Sequence, residues 1–246
     1  MHYNDTAEAG SPTWAGMWNV YDVMTQNHIN AYGIAPRTVR NHWIVWVGWS
    51  EQAEIEEAYG IQLDANYYHW GSWLSGPGHF AGSGLPMKFS DENGEVLDIY
   101  QANTQLPDET WHAGISNAFQ TLIDRSIDQE AYAFITANFH PPSYGSCQGY
   151  AGNIMDYANS RGVPIWSAEI LLDFLQARDG AHFTNINWNG TRLTFDFGMP
   201  TGGEHLTLMI PSQVTGANLQ SIQVNGTPVT YTTDTVKGFD YAFFAA

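Results

Sequence analysis

Histidines beside charged side chains are the residues of this sequence best suited to chemistry. The chain has nine histidines, and His42 stands two residues after Arg40, directly after a predicted strand. An imidazole can ligate a metal or transfer a proton, and a guanidinium beside it can hold an anion or orient a polar substrate. The alternative is a histidine that hydrogen-bonds within an aromatic shell of Trp43, Trp46 and Trp49. Both interpretations of His42 stay open on these residues alone.

His140 is the second histidine placed at a strand end. It closes the apolar run AYAFITANFH, and the prolines that follow it stop any regular structure. An imidazole there is well placed for proton transfer near neutral pH, although it could equally be a loop residue that caps the strand. His69 lies in the aromatic group Tyr67-Tyr68-His69-Trp70, which is expected to line a glycan site or to pack rather than to bind metal. The residues around His2 do not by themselves indicate a functional role for it.

Asp64 closes the predicted strand in LDANYY. Its carboxylate could orient a histidine or an arginine, although an aspartate in such a place more often caps a turn. Established motifs add nothing: the sequence holds no glycine-rich phosphate loop, no GxSxG elbow and no HExxH helix. Nucleotide chemistry and serine-esterase chemistry therefore have no motif to support them.

Composition narrows the class of partner. The formal charge is −17, with 8 Lys+Arg against 25 Asp+Glu, so nucleic acid and anionic lipid are not expected to bind. Aromatic residues make up 14% of the chain, which suits a neutral glycan but also an ordinary aromatic-rich core. The single cysteine, Cys147, excludes an internal disulfide, and no apolar run is long enough for membrane insertion. The first residues show no signal peptide. The expectation of secretion or surface display therefore rests on the class of protein that the sequence indicates.

The pattern of predicted secondary structure changes near Gly180. Residues 1–180 alternate apolar strand-like runs with helical patterns, which predicts an α/β domain whose parallel strands bring their C-terminal ends to one face. Residues 181–246 read as antiparallel strands, with Asn-Gly turns at 189–190 and 225–226, and predict a small β-sandwich-like domain. The predicted helices cover residues 11–32, 50–59, 107–128, 148–161 and 167–179, and the predicted strands of the first domain include 61–68, 96–102, 131–140 and 163–166.

Taken together, six segments of the first domain resemble the polysaccharide deacetylase (NodB-type) superfamily, in a divergent branch found in large bacterial surface proteins. They are PRTVRNHW (36–43), GIQLDANYYHW (60–70), GSGLPMKF (82–89), DIYQANTQLPDE (98–109), FITANFH (134–140) and RGVPIWSA (161–168). TVKGFDYAFF (235–244) resembles the β module that follows the catalytic domain in that branch. The resemblance implies a partial, distorted (β/α) barrel that holds a divalent metal, usually zinc.

The resemblance also implies roles for individual residues. His2 falls on the first histidine of a paired metal-binding segment, Arg40 on the arginine that orients the base, and His140 on the late general acid. Thr6 stands where the second histidine belongs, so His42 is the natural substitute ligand. If His2 and His42 share a zinc ion, their ring nitrogens must lie within about 4 Å of each other, because each bond is about 2.0–2.1 Å.

One departure from the family affects activity. The pair of aspartates that supplies the general base and a ligand has no counterpart, because it belongs upstream of Met1; the chain is then either a fragment of a larger secreted protein or a degenerate homologue. We expect a hydrolase that removes acetyl groups from a polysaccharide, with the isolated chain inactive. Asp64 would assist the catalytic residues, and the sugar groove would be lined by Trp43, Tyr67, Tyr68, His69 and Trp70.

Two alternatives remain open. The chain could be a non-catalytic carbohydrate-binding or adhesive surface module that keeps the fold, which would account for Thr6 and for the many aromatic residues. A glycoside hydrolase with paired carboxylates has Asp64, Asp98 and Glu109 available, but the sequence marks no pair among them.

Overall fold

The structure is a computed structural model that describes residues 1–8, 10–67, 86–108, 117–128, 133–214 and 216–245. The chain forms two compact units, Met1–Glu169 and Ile170–Ala246. Among the described residues, no helix is long and apolar enough to cross a membrane. The fold is mixed α/β, as predicted. Its described strands form several small open sheets, so a closed barrel is absent from this part of the chain.

Five α-helices are found in the described residues. They are α1 (Trp14–Tyr32), α2 (Glu51–Ala58), α3 (Ala118–Asp128), α4 (Tyr144–Ser160) and α5 (Ala168–Gly180). The prediction for α1 takes Ser11 as the N-cap residue. The observed N-cap is Thr13, whose hydroxyl accepts a hydrogen bond from the Gly16 amide at 3.0 Å, so the helix begins two residues later than predicted. It ends as predicted at Gly33, which adopts a left-handed φ of 75°.

The strands of the first unit form one sheet of four strands and one of two. The strands are β1 (Thr38–Val39), β2 (Leu63–Tyr67), β3 (Met87–Ser90), β4 (Val96–Asn103), β5 (Leu106–Pro107) and β6 (Ala137–Asn138). The larger sheet has the order β1-β2-β4-β3, in which β1, β2 and β4 run parallel and β3 is antiparallel to β4. Strands β5 and β6 pair in parallel as a separate sheet. Parallel pairing confirms the expected α/β character, and it brings strand C-termini to common edges.

The larger sheet is covered by α1 and α2. Buried apolar side chains from both helices meet those of the strands in one cluster, whose largest members include Tyr3, Met17, Tyr21, Ile55, Ile61 and Ile99. A second cluster joins α3 and α4 to β5 through Leu106, Phe119, Ile123 and Tyr150. These two clusters hold the strands in place. They therefore also fix the positions of the side chains that follow the ends of the strands.

Three predicted elements of the first unit differ from the structure. Residues 163–166, expected as a strand, have no regular structure, since the chain passes through them directly from α4 to α5. The expected strand over 131–140 is reduced to Ala137–Asn138 in the described residues. Of the expected helix over 107–128, Asp108 and Ala118–Asp128 are helical, Pro107 belongs to a strand, and residues 109–116 lie outside the described part.

The second unit is antiparallel, as predicted. Its strands are β7 (His182–Trp188), β8 (Leu193–Gly198), β9 (Thr207–Pro211), β10 (Gln213–Val214), β11 (Ala217–Asn218), β12 (Ile222–Val224), β13 (Thr227–Val229), β14 (Thr232–Val236) and β15 (Phe239–Ala245). Both predicted Asn-Gly turns are present: Asn189-Gly190 joins β7 to β8, and Asn225-Gly226 joins β12 to β13. Asn225 and Gly226 have φ of 51° and 82°, which only turn-forming residues adopt readily.

Candidate metal centre

The first residues of the chain lie alongside the end of β1, and this pairing positions two histidines. The Arg40 amide donates to the Met1 carbonyl and the His42 amide to the Tyr3 carbonyl, both at 2.9 Å. Tyr3 is also fixed from its side chain, which stacks on Tyr21 with ring centroids 4.1 Å apart. His2 lies between Met1 and Tyr3, which accept these two backbone hydrogen bonds. The pairing therefore places His2 beside His42.

Three histidines meet at this place: His2, His42 and His140. Nε2 of His2 lies 3.3 Å from Nδ1 of His42, and one ring nitrogen from each of the three lies within 4.8 Å of the others. The three ring planes are nearly perpendicular to one another, with interplanar angles of 78°, 88° and 84°. The three side chains lie close enough together to hold a metal ion.

The His2–His42 separation fits the geometry of such an ion. Two ligands at about 2.0–2.1 Å from a tetrahedral zinc ion are about 3.3–3.4 Å apart, which is the spacing observed here. Metal ligation requires neutral imidazoles, and the surroundings of both rings favour that form. Burial, followed by the charges of Arg40 and the neighbouring histidines, lowers the pKa of His2 to about 4. Burial, followed by His140 and Arg40, also lowers the pKa of His42.

His140 is anchored by an aspartate. Nδ1 of His140 lies 2.7 Å from Oδ1 of Asp108, and the His140 amide donates to Oδ2 of the same carboxylate at 3.2 Å. Asp108 is 1% exposed, so solvent competes little for these bonds. Because Nδ1 faces the carboxylate, Nε2 is the nitrogen that remains for chemistry. The hydrogen bonds to Asp108 fix both the orientation and the tautomer of the His140 ring.

The sheet of β5 and β6 explains why these two residues meet. Pro107 pairs with Asn138 in parallel register, so Asp108 and His140 leave adjacent strand ends in the same direction. Sequence reasoning missed Asp108, since Pro107-Asp108 was interpreted as the start of a helix. A two-residue strand gives no periodic signal, and the only hint was an aspartate directly after the apolar pair Leu106-Pro107.

Asp64 lies in a buried polar network rather than in an open cleft. Its carboxylate accepts hydrogen bonds from the backbone amide and the side-chain amide of Asn66, both at 2.6 Å, and it is 0% exposed. Burial raises the pKa of Asp64 to about 6, against hydrogen bonds from Glu56 and Asn66 and the charge of Arg40. Arg40, itself buried, thus interacts electrostatically with both Asp64 and His2.

Sequence reasoning also missed the partners of Asp64 in this network. The Tyr21 hydroxyl lies 2.6 Å from Oε1 of Glu56, and the Gln52 amide donates to the same oxygen at 3.0 Å. Burial, followed by the charge of Asp64, raises the pKa of Glu56 well above its usual range. Glu56 sits in the acidic segment EQAEIEEA, where nothing in the pattern distinguishes it from the half-buried Glu54 and Glu57.

The predicted sugar-binding aromatics are only partly described. Trp43 is 68% exposed, and its ring centroid lies 5.6 Å from that of His42. The backbone of Tyr67 ends β2, while Tyr68, His69 and Trp70 lie outside the described residues. Of the carboxylates considered for glycoside hydrolysis, Asp98 is exposed and bonded to Lys88 at 2.8 Å, and Glu109 also lies outside the described part.

Comparison with known proteins yields no relative. No family model matches the chain, and neither a curated protein nor a solved structure matches it.

Proposed function

We propose that the chain belongs to a metal-dependent polysaccharide deacetylase of the NodB type, with a distorted (β/α) barrel, acting as part of a larger secreted protein. The observation that carries the proposal is the His2–His42 pair at zinc-ligand spacing beside a carboxylate-anchored His140. A hydrolase that releases acetate needs both a site for a Lewis acid and a proton donor for the leaving group.

His2 and His42 would hold the divalent metal, most plausibly zinc, because nitrogen ligands at this spacing suit a tetrahedral ion. When bound, zinc would polarise the acetyl carbonyl and make a water molecule more acidic. The oxygen of a water molecule would form a bond to the acetyl carbon as the bond between this carbon and the sugar nitrogen or oxygen breaks. The attacking water would lose its proton to solvent, and the leaving nitrogen or oxygen would take a proton from His140. Acetate and a free amine or hydroxyl are the products.

His140 supplies the proton that the sugar nitrogen or oxygen needs as it leaves. Its Nε2 is the donor, because Nδ1 is engaged by Asp108. The Asp108 carboxylate holds the His140 ring in place and prevents it from rotating. Such a positioned acid typically accelerates a reaction by about 10²–10⁴-fold. Arg40, held beside Asp64, keeps a positive charge near the two proposed ligands and would favour the carboxylate product.

Hydrolysis of an activated ester tests this proposal. 4-Nitrophenyl acetate has a leaving group that needs no protonation, so the zinc-loaded chain should hydrolyse it and lose this activity with a chelator. His42→Ala should abolish the zinc-dependent rate, and His140→Ala should retain most of it. His28→Ala, which removes a histidine in tilted contact with Tyr32 in α1, is the matched control. A rate that is unaffected by zinc, or by His42→Ala, would refute the proposal.

A carbohydrate-binding module is the second candidate, favoured by the exposure of Trp43 and of Trp49, which are 68% and 79% exposed. Glycan binding that is unaffected by a chelator, together with no zinc-dependent hydrolysis, would support this function instead.

A further inference from the structure

The chain contains three asparagine–glycine dipeptides, at residues 93–94, 189–190 and 225–226. All three asparagines and all three glycines are exposed to solvent. In such a dipeptide the backbone nitrogen of the glycine can attack the side-chain carbonyl carbon of the asparagine, because glycine has no side chain to crowd the approach. Sequence and exposure make the three sites equivalent, so their hydrogen bonds are what distinguishes them.

At Asn93-Gly94 the attacking nitrogen is already engaged. The Gly94 amide donates to the Asp91 carbonyl at 3.1 Å. The Asn93 side-chain amide donates to Oδ2 of Asp91 at 3.3 Å, and the Asn93 backbone amide donates to Oδ1 of the same carboxylate at 2.9 Å. Attack on the Asn93 carbonyl carbon must break at least the first of these bonds, so the folded turn opposes the reaction.

At Asn189-Gly190 the carbonyl that would be attacked is held in place. Oδ1 of Asn189 accepts hydrogen bonds from the Thr191 amide at 3.0 Å, from the Thr191 hydroxyl at 3.1 Å and from the Arg192 amide at 2.8 Å. These bonds direct the carboxamide toward the residues that follow Gly190. Rotation of its carbonyl carbon onto the Gly190 nitrogen must break them, so this turn is also protected.

Asn225-Gly226 has neither kind of restraint. It forms the turn of the β12–β13 hairpin, which is closed by the pairing of Val224 with Thr227. Within the part of the chain that the structure describes, neither the Asn225 carboxamide nor the Gly226 amide takes part in a hydrogen bond. The attacking nitrogen and the carbon that it attacks are therefore both unrestrained in the folded protein.

We propose that Asn225 is a modification site, at which the folded protein deamidates spontaneously and faster than at Asn93 or Asn189. The Gly226 nitrogen loses its proton to hydroxide from the solvent and forms a bond to Cγ of Asn225. The bond between Cγ and Nδ2 breaks, and this nitrogen takes a proton from water and leaves as ammonia. Hydrolysis of the resulting cyclic imide by one water molecule gives aspartate or isoaspartate. This chemistry is independent of the metal centre.

The isoaspartate product would alter the hairpin, because its main chain runs through the side-chain methylene and is longer by one carbon atom. The length of a turn fixes the register of the two strands that it joins. The present register places Ile222 opposite Val229, and both side chains pack in an apolar cluster of the second unit. Deamidation at Asn225 would therefore weaken the packing of this hairpin.

Peptide mapping by mass spectrometry tests the proposal on the full chain, incubated in mildly alkaline buffer made with heavy-oxygen water. Each new event leaves a solvent oxygen in the product, which separates it from earlier modification. Asn225 should deamidate at least about twofold faster than Asn93 and Asn189, since a single hydrogen bond accounts for about two- to tenfold. In concentrated urea, where these hydrogen bonds are absent, the three rates should converge.

Asn225→Gln is the matched control, because it keeps the carboxamide but would have to close a larger ring, and the product at this position should disappear. Three results would overturn the proposal. These are a rate at Asn225 in the folded chain that is no higher than at the other two sites, a ratio of rates that urea leaves unchanged, or a product at this position that persists in Asn225→Gln.

Discussion

Nε2 of His2 lies 3.3 Å from Nδ1 of His42, forty residues further along the chain. The contact exists because residues 1–3 lie beside residues 40–42 and share two backbone hydrogen bonds with them. Two neutral imidazoles at this distance share a single hydrogen bond, whereas a zinc ion between them would have two ligands at ordinary bond lengths. This relationship is the basis of the functional account.

The first prediction concerns the anchor of His140. Asp108→Ala should reduce the free energy of unfolding by about 1–2 kcal/mol, because His140 loses two hydrogen bonds to a buried carboxylate. Zinc affinity should stay within about threefold of the wild type, since His140 acts as the acid; loss of an outer partner of a true ligand costs about 10–100-fold. Urea unfolding and zinc titration measure the two effects.

Glu92→Gln is the control for this variant, because Glu92 is an exposed acid on the turn between β3 and β4. A fall of tenfold or more in zinc affinity for Asp108→Ala alone would place His140 among the ligands and contradict its role as the proton donor.

A second prediction concerns Asp5, whose two carboxylate oxygens are buried without a hydrogen-bond partner among the described residues. Burial raises the pKa of Asp5 from 3.8 to about 7, against the opposing influence of its own backbone amide and the charge of Arg40. The folded state therefore binds this proton more tightly than the unfolded state. Stability from this group is complete below about pH 4 and is lost as the pH rises to about 7.

Asp5→Asn removes this titration. The variant should be more stable than the wild type by about 1–3 kcal/mol at pH 8 and nearly equal to it at pH 4. Urea unfolding at both pH values provides the measurement. If the two proteins lose stability in parallel between pH 4 and pH 8, Asp5 is not the group responsible.

The third prediction concerns Glu56, which is 0% exposed and shares one carboxylate oxygen with Tyr21 and Gln52. Glu56→Ala leaves the buried Gln52 amide without this acceptor and leaves the Tyr21 hydroxyl with only Oδ1 of Asn41, at 2.8 Å. It should cost about 1–3 kcal/mol of unfolding free energy. Glu56→Gln keeps an acceptor oxygen and should be much less damaging at pH 5. Glu95→Ala, in an exposed turn, is the control. Equal stability of Glu56→Ala and Glu95→Ala would show that the network contributes nothing.

Parts of the fold could be predicted from the sequence because they depend on local signals. Gly33 ends α1 and Asn225-Gly226 turns a hairpin for reasons contained in those residues and their immediate neighbours. His42 is a candidate from the sequence because it follows a predicted strand beside Arg40, and His140 because it ends an apolar run. Their meeting with His2 depends on pairing between distant segments, which no local pattern encodes.

The rest of the site could not be predicted, for physical reasons. Asp108 follows a strand of two residues, too short to show alternation, and its partner is 32 residues away. Glu56 is buried by tertiary packing although its neighbours in α2 are acidic and helix-forming. The left-handed φ of Trp43 and Ile44 contradicts their intrinsic preferences, and such conflicts are expected where function constrains the backbone.

Titration of zinc into the metal-free chain tests the central claim most directly. The account predicts one zinc ion bound per wild-type chain, binding weakened at least about 100-fold in His2→Ala and in His42→Ala, and wild-type affinity in His28→Ala. Circular dichroism of each variant would show that the fold is retained. Failure of the folded wild type to bind zinc, or binding that is indifferent to the loss of His42, would contradict the account.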